Sequence, residues 1–565
     1  MRHETISSGN IEILAMGRCR QRHLFFELEI AAGGRRLRHM LSLEEFEAGP
    51  DRVIALLEAG LVTPGSRADF KRRIEIAVRK MRPTLHVATR PGWYGRAFVL
   101  PSGELIGDVP NLRICLPSIY SEYAEKFASR GTLRGWRRIP ELAVGNTRLV
   151  MAIALAFAGP VASLLRVEPP GVQLVGPRGA GKSAIAAATG SAWGGRDDEH
   201  GTFVEGWGQT KNNVDKLAAV HSGALLVLDD TRTFERDTRV GFANFKEAVM
   251  RMGEGRLKGR YDDTGGSIRS RTPVLSASND SLDEMARAVG VEIDDALRGR
   301  LIDVPLVEGI VGAFENLHGY RNHADFADEL FRLARSNHGD PSVYFIQQIV
   351  RWRKRDETRL VAWLRARREE YLSVAGRRVT SASRDLARFH QRFATIYAAA
   401  ALAIALLILP WSRASLGQAL IACELAHVEL VAGNIASGVA QARAEDPFER
   451  LKAHVRDRRA SFVDLRDGLI DPDGNHDHDS CEGYVNQHGD KTLEFLFAES
   501  KLQQVCGGKV QALRVKAELD AAGWLVRDTA RPCTRRTIWA GGRNKREQVI
   551  AIRAEAFDGA ANATR

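Results

Sequence analysis

Residues Gly176 to Ser183 have the types and the spacing needed to hold a chain of phosphates. They follow the pattern G-x-x-x-x-G-K-S, with the order Gly176, Pro177, Arg178, Gly179, Ala180, Gly181, Lys182, Ser183. The glycines let successive backbone N–H groups turn towards phosphate oxygens, Lys182 can reach the β- and γ-phosphates, and Ser183 can bind Mg²⁺. We therefore predict that the chain binds a nucleoside triphosphate together with Mg²⁺.

The sequence on either side supplies the elements that must position this loop. The apolar run Val172–Val175 predicts a strand that ends at the loop, and Ala184–Thr189 predicts a helix that begins there. A helix N-terminus favours an anion, so the strand, loop and helix together suit a phosphate. A tight turn before an alanine-rich helix is the alternative, and these flanks make it the weaker one.

Two further apolar runs end in polar side chains that suit hydrolysis. The run from His221 ends in Asp229 and Asp230, and the run from Thr272 ends in Asn279. We expect the first run to lie beside the loop strand, with Asp229 on Mg²⁺ and Asp230 polarising the attacking water. Asn279 is then placed to orient water against the γ-phosphate. The alternatives are a strand that reaches solvent and a turn residue.

Arg298 and Arg300 stand just before another apolar run. An arginine at such a place can enter a neighbouring subunit's site and stabilise transition-state charge, and an exposed basic turn is the alternative. The order of these features indicates an ATP hydrolase. Its expected catalytic residues are Lys182, Asp229, Asp230, Asn279 and Arg300.

The same order resembles the AAA+ superfamily of P-loop NTPases. Between the second and third strands, Asn244–Arg251 predicts a helix, and a β-hairpin with basic residues on both arms follows. This hairpin resembles the pre-sensor hairpin of minichromosome-maintenance (MCM) and superfamily 3 helicases, which points into a ring channel and grips DNA. The resemblance implies a hexameric ring of copies acting on single-stranded or forked DNA. The implied DNA contacts on the hairpin are Arg256, Lys258, Arg260, Arg269 and Arg271.

A wider resemblance covers roughly residues 85–420. It looks like the "domain of unknown function 927" family of phages and integrative elements, in which some members are MCM-like replicative helicases. The segments that carry it include Arg90–Trp93, Phe98–Gly103, Gly145–Leu149, Ser191–Gly194, Trp207, Gly223–Asp229 and Arg392–Phe393. The resemblance implies replication of a mobile element and allows a primase or initiator partner. The family usually has Asp-Glu where this chain has Asp229-Asp230, which leaves the role of Asp230 and the turnover rate open.

Composition agrees with a polyanionic partner. The 565 residues carry a formal net charge of +11, which favours binding to nucleic acid, although charge by itself does not establish such binding. Six scattered cysteines without a C-x-x-C pair favour reduced thiols in a cytoplasm, and no signal peptide is expected at the N-terminus. The uncharged run Phe393–Leu409 is near the lower length limit for a membrane span. We expect it to be a buried helix of the ATPase lid, with one of Arg384, Arg388 and Arg392 as sensor 2.

The expected fold is an α/β P-loop NTPase (AAA+) core with a small α+β N-terminal region, a helical lid and a C-terminal winged-helix-like domain. The predicted divisions are residues 1–85, 86–168, 169–310 for the ATPase core, 311–438 for the lid, 439–485 for a polar linker, and 486–560 for the winged-helix-like domain. Arg514 and Lys516 lie on its expected recognition helix, and a protein-binding winged helix is an equal alternative. The His/Asp tract at Asp471–Asp479 is expected to be linker rather than a metal site.

These features favour a DNA helicase and leave three rivals. An AAA+ switch or defence ATPase would remodel protein partners with the same core. An initiator would use ATP only to assemble on DNA without unwinding it. A membrane-anchored ATPase would use Phe393–Leu409 as its span.

Overall fold

The structure is a computed structural model in which the chain divides into two units, Met1–Ala432 and Gly433–Arg565. It describes residues 6–8, 11–32, 35–48, 67–195, 203–207, 211–229, 239–257, 268–306, 312–379, 386–465, 482–487, 493–526, 535–540 and 545–557. Several predicted features lie outside these residues, namely Asp230, Lys258, Arg260, Arg384 and the tract Asp471–Asp479.

The first unit begins with an antiparallel sheet that gains two parallel strands. Its first elements are β1 (Ile6–Ser8), β2 (Ile11–Cys19), β3 (Leu24–Ala32), β4 (Arg35–Ser42), α1 (Leu43–Ala48), α2 (Arg67–Lys80) and β5 (Pro83–Ala88). A three-stranded sheet of β6 (Gly92–Tyr94), β7 (Ala97–Val99) and β8 (Leu105–Ile106) follows, and then β9 (Leu112–Ile114). The larger sheet has the order β4-β3-β2-β5-β9, so it draws strands from both sides of the predicted division at residue 85. Alternate residues Phe26, Leu28 and Ile30 of β3 are buried in its core, as the period of a strand requires.

A series of short helices leads from this sheet to the nucleotide-binding core. They are α3 (Ser118–Ser121), α4 (Leu133–Trp136), α5 (Arg138–Leu142), α6 (Thr147–Leu155) and α7 (Ala158–Leu165). Residues 138–165 therefore form three helices, α5, α6 and α7, rather than one. Gly145 has a φ of +83°, and the buried Asn146 amide donates to the carbonyl of Leu142, so the chain turns here instead of continuing as a helix. A 54° bend separates α6 from α7.

The core of the first unit is a five-stranded parallel sheet. Its elements are β10 (Gly171–Val175), α8 (Lys182–Gly190), β11 (Glu205–Gly206), α9 (Lys211–Val220), β12 (Leu226–Asp229), α10 (Arg239–Glu254), β13 (Arg256–Leu257), β14 (Ile268–Arg269), β15 (Val274–Ser278), α11 (Leu282–Ala288), α12 (Asp295–Arg298) and β16 (Ile302–Pro305). The strand order is β11-β12-β15-β10-β16, while β13 and β14 form a separate hairpin. Both faces of β10 are buried, which is why its sequence is a continuous run of mostly apolar residues.

The strand order corrects one expectation. The acidic strand β12 does not lie beside β10, because β15 pairs with both of them. Parallel strands are joined by crossovers long enough to skip a position, so order along the chain does not determine order in the sheet. The register still brings the carboxyl ends of all three strands to one edge, where Val175 pairs with Ser278 and Leu228 pairs with Ser276.

A chain of buried hydrogen bonds crosses this sheet. The Trp207 indole donates to Ser276 Oγ at 2.9 Å, and Ser276 Oγ donates to Gln173 Oε1 at 2.9 Å. The Gln173 amide in turn donates to Asp303 Oδ1 at 2.9 Å, and Asp303 Oδ2 accepts from the backbone N–H of Leu282 at 2.7 Å. Because polar groups in a core must find partners, these bonds hold the strands in one register.

Long helices complete the first unit. They are α13 (His323–Ser336), α14 (Asp340–Arg378), α15 (Leu386–Ala405) and the part of α16 (Arg413–Glu445) that precedes residue 433. Residues 393–403 on α15 are buried against the rest of the unit, which is the core placement that we expected for this apolar run. In the described part of the chain one segment, Arg413–Gly433, has the length and composition of a membrane span, and the bent pair α6 and α7 would be a second. Core helices meet the same criteria, so this is weak evidence for a membrane.

The second unit contains α17 (Pro447–Asp457), β17 (Val463–Asp464), β18 (Tyr484–Gln487), β19 (Leu493–Ala498), α18 (Glu499–Cys506), α19 (Lys509–Ala521), β20 (Arg535–Ala540) and β21 (Lys545–Arg553). Its sheet has the order β17-β18-β19-β21-β20. Within residues 486–560, the helices α18 and α19 are followed by the antiparallel pair β20 and β21. The description of these elements as a winged helix stays a prediction.

Candidate nucleotide-binding and hydrolysis site

The loop between β10 and α8 has the backbone shape that its glycines predict. Gly179 and Gly181 have φ values of +78° and +101°, which other residues rarely adopt. A Cβ on Gly181 would stand 2.8 Å from the ring of Phe314, so the position also excludes a larger side chain. Gly181 caps α8, whose first backbone N–H groups therefore point into the loop.

Lys182 lies inside this loop and is 7% exposed. Its ammonium group donates to the carbonyls of Gly176 at 2.6 Å and Pro177 at 2.8 Å, and to Asn279 Oδ1 at 3.1 Å. These contacts tie the loop to the end of β15. The structure thus brings together two of the residues that the sequence predicted from separate motifs.

Ser183 and Asp229 meet at the same edge of the sheet. Ser183 Oγ donates to Asp229 Oδ2 at 2.7 Å, although 46 residues separate them in the chain. Hydroxyl and carboxylate oxygens are the ligands that Mg²⁺ prefers, and this metal commonly takes only one or two protein ligands beside phosphate oxygens. The pair therefore fits the predicted role in holding Mg²⁺.

A cavity of about 470 Å³ opens over these groups. Its size lies within the usual range for small-molecule sites, and it combines a few polar groups with an apolar wall. Its lining is Arg178, Gly179, Ala180, Gly181, Lys182, Ser183, Ala184, Asp229, Ala277, Ser278, Asn279, Ala324, Ala327, Asp328 and Phe331. The space and its donors fit a nucleoside triphosphate.

Sequence reasoning missed one wall of this cavity, which is the helix α13. Ala324, Ala327, Asp328 and Phe331 stand at positions i, i+3, i+4 and i+7, so they share one helix face. Phe314, just before α13, packs against Phe326 with ring centroids 4.7 Å apart and also covers Gly181. The helical spacing was visible in the sequence, but nothing local indicated that this face would meet the phosphate loop.

Arg300 lies at the opposite edge of the sheet, because it precedes the first residue of β16. Its guanidinium donates to Glu254 Oε1 at 3.0 Å and to the carbonyl of Ala296 at 2.9 Å, and its side chain is 20% exposed. It is therefore remote from the cavity of its own chain. Arg298 is held differently, since it pairs with Asp283 and Asp295.

The two sensor 2 candidates that the structure describes, Arg388 and Arg392, also lie away from the nucleotide cavity. Arg392 donates to the carbonyl of Pro169 at 2.6 Å and pairs with Glu168, just before β10. Arg388 lines a second cavity at that place. Burial lowers the pKa of Arg392, with a smaller opposing effect from Glu168.

The structure describes the base of the basic hairpin, where β13 pairs with β14. Arg256 pairs with Arg269 and Leu257 pairs with Ile268 in antiparallel register. Arg271, beyond the hairpin, donates to the carbonyls of Ala162 at 3.2 Å and Val167 at 3.4 Å. A side chain that caps the end of α7 in this way is held away from the hairpin arms.

The two basic residues predicted on the helix α19 differ in exposure. The Arg514 side chain is 70% exposed and pairs with Glu518 one turn later at 3.0 Å. Lys516 is 16% exposed and donates to Glu499 Oε1 at 2.8 Å. Arg514 is thus the better placed of the two for contact with an external phosphate.

A family model matches part of the chain. Residues 1–272 match the family described as "Domain of unknown function (DUF927)". This match is slightly less than half of the 565 residues; it begins earlier than the expected residue 85 and ends before β15. No curated protein matches the chain.

A solved structure titled "SCCmec type IV Cch - active helicase" is similar over 97% of this chain and 95% of that chain. The TM-score is 0.53 and the sequence identity is 14%. At this identity the likeness concerns the fold, which is an α/β NTPase-like fold with mixed sheets.

Three tryptophans that carry the resemblance to the DUF927 family make hydrogen bonds in the structure around the sheet. The indole of Trp193 donates to the carbonyl of Ala156 at 2.7 Å, and that of Trp93 donates to the carbonyl of Pro160 at 3.0 Å. The backbone N–H of Trp207 donates to the carbonyl of Asp229 at 3.0 Å. Trp193 and Trp207 are buried and Trp93 is half-buried against the core, where a large ring with one donor can both pack and orient.

Proposed function

We propose that the chain is an ATP-hydrolysing AAA+ DNA helicase that works as a ring of identical subunits in the replication of a mobile genetic element. The observation that carries the proposal is the meeting of Ser183 with Asp229, and of Lys182 with Asn279, at one edge of a parallel sheet. Four polar residues from three separate strand ends converge there beside a phosphate-binding loop. Such convergence is what phosphoryl transfer requires, because its catalysis consists of positioning and charge stabilisation.

We propose one orientation for ATP in this cavity. The phosphates lie in the loop, where the N-terminus of α8 and the Lys182 ammonium supply positive charge. To bind them, the ammonium exchanges the carbonyls of Gly176 and Pro177 for phosphate oxygens. The base then lies against the apolar face of α13, where Ala327 and Phe331 line the cavity.

Hydrolysis uses the polar edge of the sheet. Ser183 and Asp229 hold Mg²⁺, which neutralises charge on the phosphate oxygens when bound. Asn279 orients the attacking water and also keeps the Lys182 ammonium in place. Asp230 polarises this water in the proposal. Since aspartate is one methylene shorter than glutamate, we expect slower turnover than a glutamate would give.

Arg300 completes the site of the next subunit. It stands at the edge opposite its own cavity, so the proposal uses a ring of copies to bring it to the triphosphate of the next subunit. Before that contact it must leave Glu254, to which it is paired here. In a ring, hydrolysis in one subunit is therefore coupled to the position of α10 in the neighbouring subunit that supplies Arg300. That helix ends at Glu254 and leads into the hairpin of the same chain.

The hairpin makes DNA the proposed track. It begins two residues after Glu254, and Lys258 and Arg260 follow its first arm. Contacts to phosphates are tolerant of sequence and suit movement along a strand. The formal net charge of +11 and the fold shared with a chain titled an active helicase support the same proposal. In the second unit, Arg514 is proposed as an additional DNA contact.

ATPase and fork-unwinding assays on the purified chain, with and without single-stranded DNA, test the proposal. We expect DNA-stimulated ATPase, unwinding, and a hexamer by mass measurement. Replacing Lys258 and Arg260 by alanine should abolish unwinding and leave basal ATPase intact. The matched control replaces Arg351 and Lys354, which are exposed on α14, by alanine.

The outcomes separate the rivals. Full unwinding by the Lys258→Ala, Arg260→Ala variant would show that these hairpin residues do not drive unwinding. ATPase that DNA does not stimulate, without strand displacement, would favour a protein-remodelling ATPase. DNA binding without steady-state turnover would favour an initiator that uses ATP only to assemble.

A further inference from the structure

A second cavity, of about 480 Å³, lies beside the amino end of β10, at the edge of the sheet remote from the phosphate loop. It is bounded by the segment that joins α7 to β10 and by the helices α14 and α15. Its described lining is Arg166, Val167, Glu168, Arg368, Ala387, Arg388, Gln391, Arg392 and Thr395. Four arginines and one carboxylate thus face this space, which leaves an excess of positive charge.

Two of the arginines are partly or largely withdrawn from water. Arg392 is 6% exposed, and burial lowers its pKa, an effect that the nearby charges of Arg300 and Arg388 reinforce. Burial also lowers the pKa of Arg368. Within the described residues, the buried Nε of Arg368 has no hydrogen-bond partner. Holding like charges together in this way costs free energy that an anion would recover.

Arg166 adds an independent observation. It stands just past the last residue of α7 with φ of 57° and ψ of 34°, the left-handed conformation in which glycine is usual. Arginine at this place carries backbone strain that glycine would avoid. Residues kept in strained conformations are found most often at functional sites.

The cavity is close to two elements of the proposed DNA-acting machinery. Arg388 Cδ lies 3.7 Å from the position that a Cβ on Gly299 would take, next to Arg300. Arg271, which follows the hairpin, donates to the carbonyl of Val167 in the cavity wall. The arginine cavity therefore adjoins the base of the hairpin.

We propose that the cavity formed by Arg166, Arg368, Arg388 and Arg392 binds phosphate groups, carried either by a nucleic-acid backbone or by a free polyphosphate. Guanidinium groups suit phosphate because their planar fork of donors matches two oxygens at once. Continuity with the hairpin base favours the nucleic-acid backbone. Binding of a nucleic-acid backbone here rests on the proposed DNA function, whereas binding of a free polyphosphate does not.

The test uses the full chain with Arg166→Gly and Arg388→Gln, singly and together. Arg166→Gly removes a guanidinium and relieves the left-handed strain, so the fold should be retained. The matched control is Arg321→Gln with Arg365→Gln, since both residues are exposed on the same unit outside the cavity. Binding of a labelled oligo-dT strand is followed by anisotropy over a range of salt concentrations. Thermal stabilisation by inorganic tripolyphosphate is measured in a Lys182→Ala background.

We expect the double cavity variant to lower the slope of log K against log salt by about 1.4, since each lost contact to a single strand removes about 0.7. Glu168→Gln should tighten binding, because it removes the carboxylate from the cavity wall. An effect on oligo-dT alone assigns the site to nucleic acid, and an effect on tripolyphosphate alone assigns it to a free polyphosphate. If the cavity variants match the control with both probes, the proposal is wrong. If oligo-dT binds to no form of the protein, the DNA function fails while the tripolyphosphate measurement still decides the cavity.

Discussion

Ser183 and Asp229 are joined by a hydrogen bond of 2.7 Å between Oγ and Oδ2. The two residues belong to α8 and β12, and β15 separates the strand β12 from the strand that carries the loop. Their contact shows that α8 begins above the end of the sheet, where a hydroxyl can reach past one strand to a carboxylate. These two side chains are the proposed ligands of Mg²⁺.

Asp229→Asn should remove most of the hydrolysis while nucleotide binding remains. The amide keeps the size of the side chain but loses the negative charge that holds Mg²⁺, so kcat should fall by roughly 100-fold. Steady-state ATPase and binding of a fluorescent ATP analogue measure the two effects. Asp325→Asn, on the first turn of α13 outside the cavity lining, is the control. Wild-type turnover of Asp229→Asn would remove Asp229 from the metal site.

Asn279→Ala should lower kcat more than it weakens ATP binding. The change removes the acceptor of the 3.1 Å hydrogen bond from Lys182 and the group that orients water, while the loop that binds the phosphates stays intact. We expect a loss of about tenfold to 100-fold in kcat with KM within about threefold. Initial-rate kinetics over a range of ATP concentrations give both values. A rise in KM with unchanged kcat would show that Asn279 only binds nucleotide.

Mixing two inactive variants tests whether Arg300 acts across subunits. Lys182→Ala removes the phosphate-binding ammonium, and Arg300→Ala removes the guanidinium at the opposite edge, so each alone should lack ATPase. In mixed rings, a subunit with intact Lys182 can sit beside one with intact Arg300. Random mixing should restore up to about a quarter of the sites.

ATPase of the equimolar mixture, after subunits have exchanged, measures this recovery. Each variant mixed with fresh copies of itself is the control. A mixture as inactive as its components, in particles shown by mass to contain both chains, would place Arg300 outside the catalytic site.

Asp303 and His427 should make opposite contributions to the pH dependence of stability. Burial raises the pKa of Asp303 to about 7. Its contribution to the free energy of unfolding is therefore present below about pH 4 and is lost as pH rises to 7. Burial lowers the pKa of His427 to about 4, so its contribution is present above about pH 6.5 and is lost as pH falls to 4. Each residue changes the free energy of unfolding by at most about 1.4 kcal/mol per pH unit.

The two effects oppose each other between pH 4 and 6.5, so single variants expose them. Asp303→Asn should make stability rise with pH over this range, and His427→Gln should make it fall. Urea unfolding followed by tryptophan fluorescence at several pH values gives the midpoints. Parallel pH profiles of the two variants would contradict the assignment.

The phosphate loop and its partners were predictable from the sequence because each is a local pattern. Glycines at fixed spacing can adopt positive φ, a short apolar run predicts a buried strand, and the polar residue that ends such a run is expected at the carboxyl end of the sheet. Lys182, Ser183, Asp229 and Asn279 could therefore be named without a structure. The base of the hairpin was equally visible, since basic arms flank a glycine-rich turn.

Only the tertiary structure decided how these pieces meet. The insertion of β15 between β10 and β12, the wall of α13 beside the loop, and the placement of Arg271 on the carbonyls of α7 all depend on contacts between residues far apart in the chain. Crossovers between parallel strands are long enough to allow several strand orders, and a long arginine side chain can reach several acceptors. Burial favoured the arrangement in which polar groups such as those of Gln173 and Arg271 have hydrogen-bond partners.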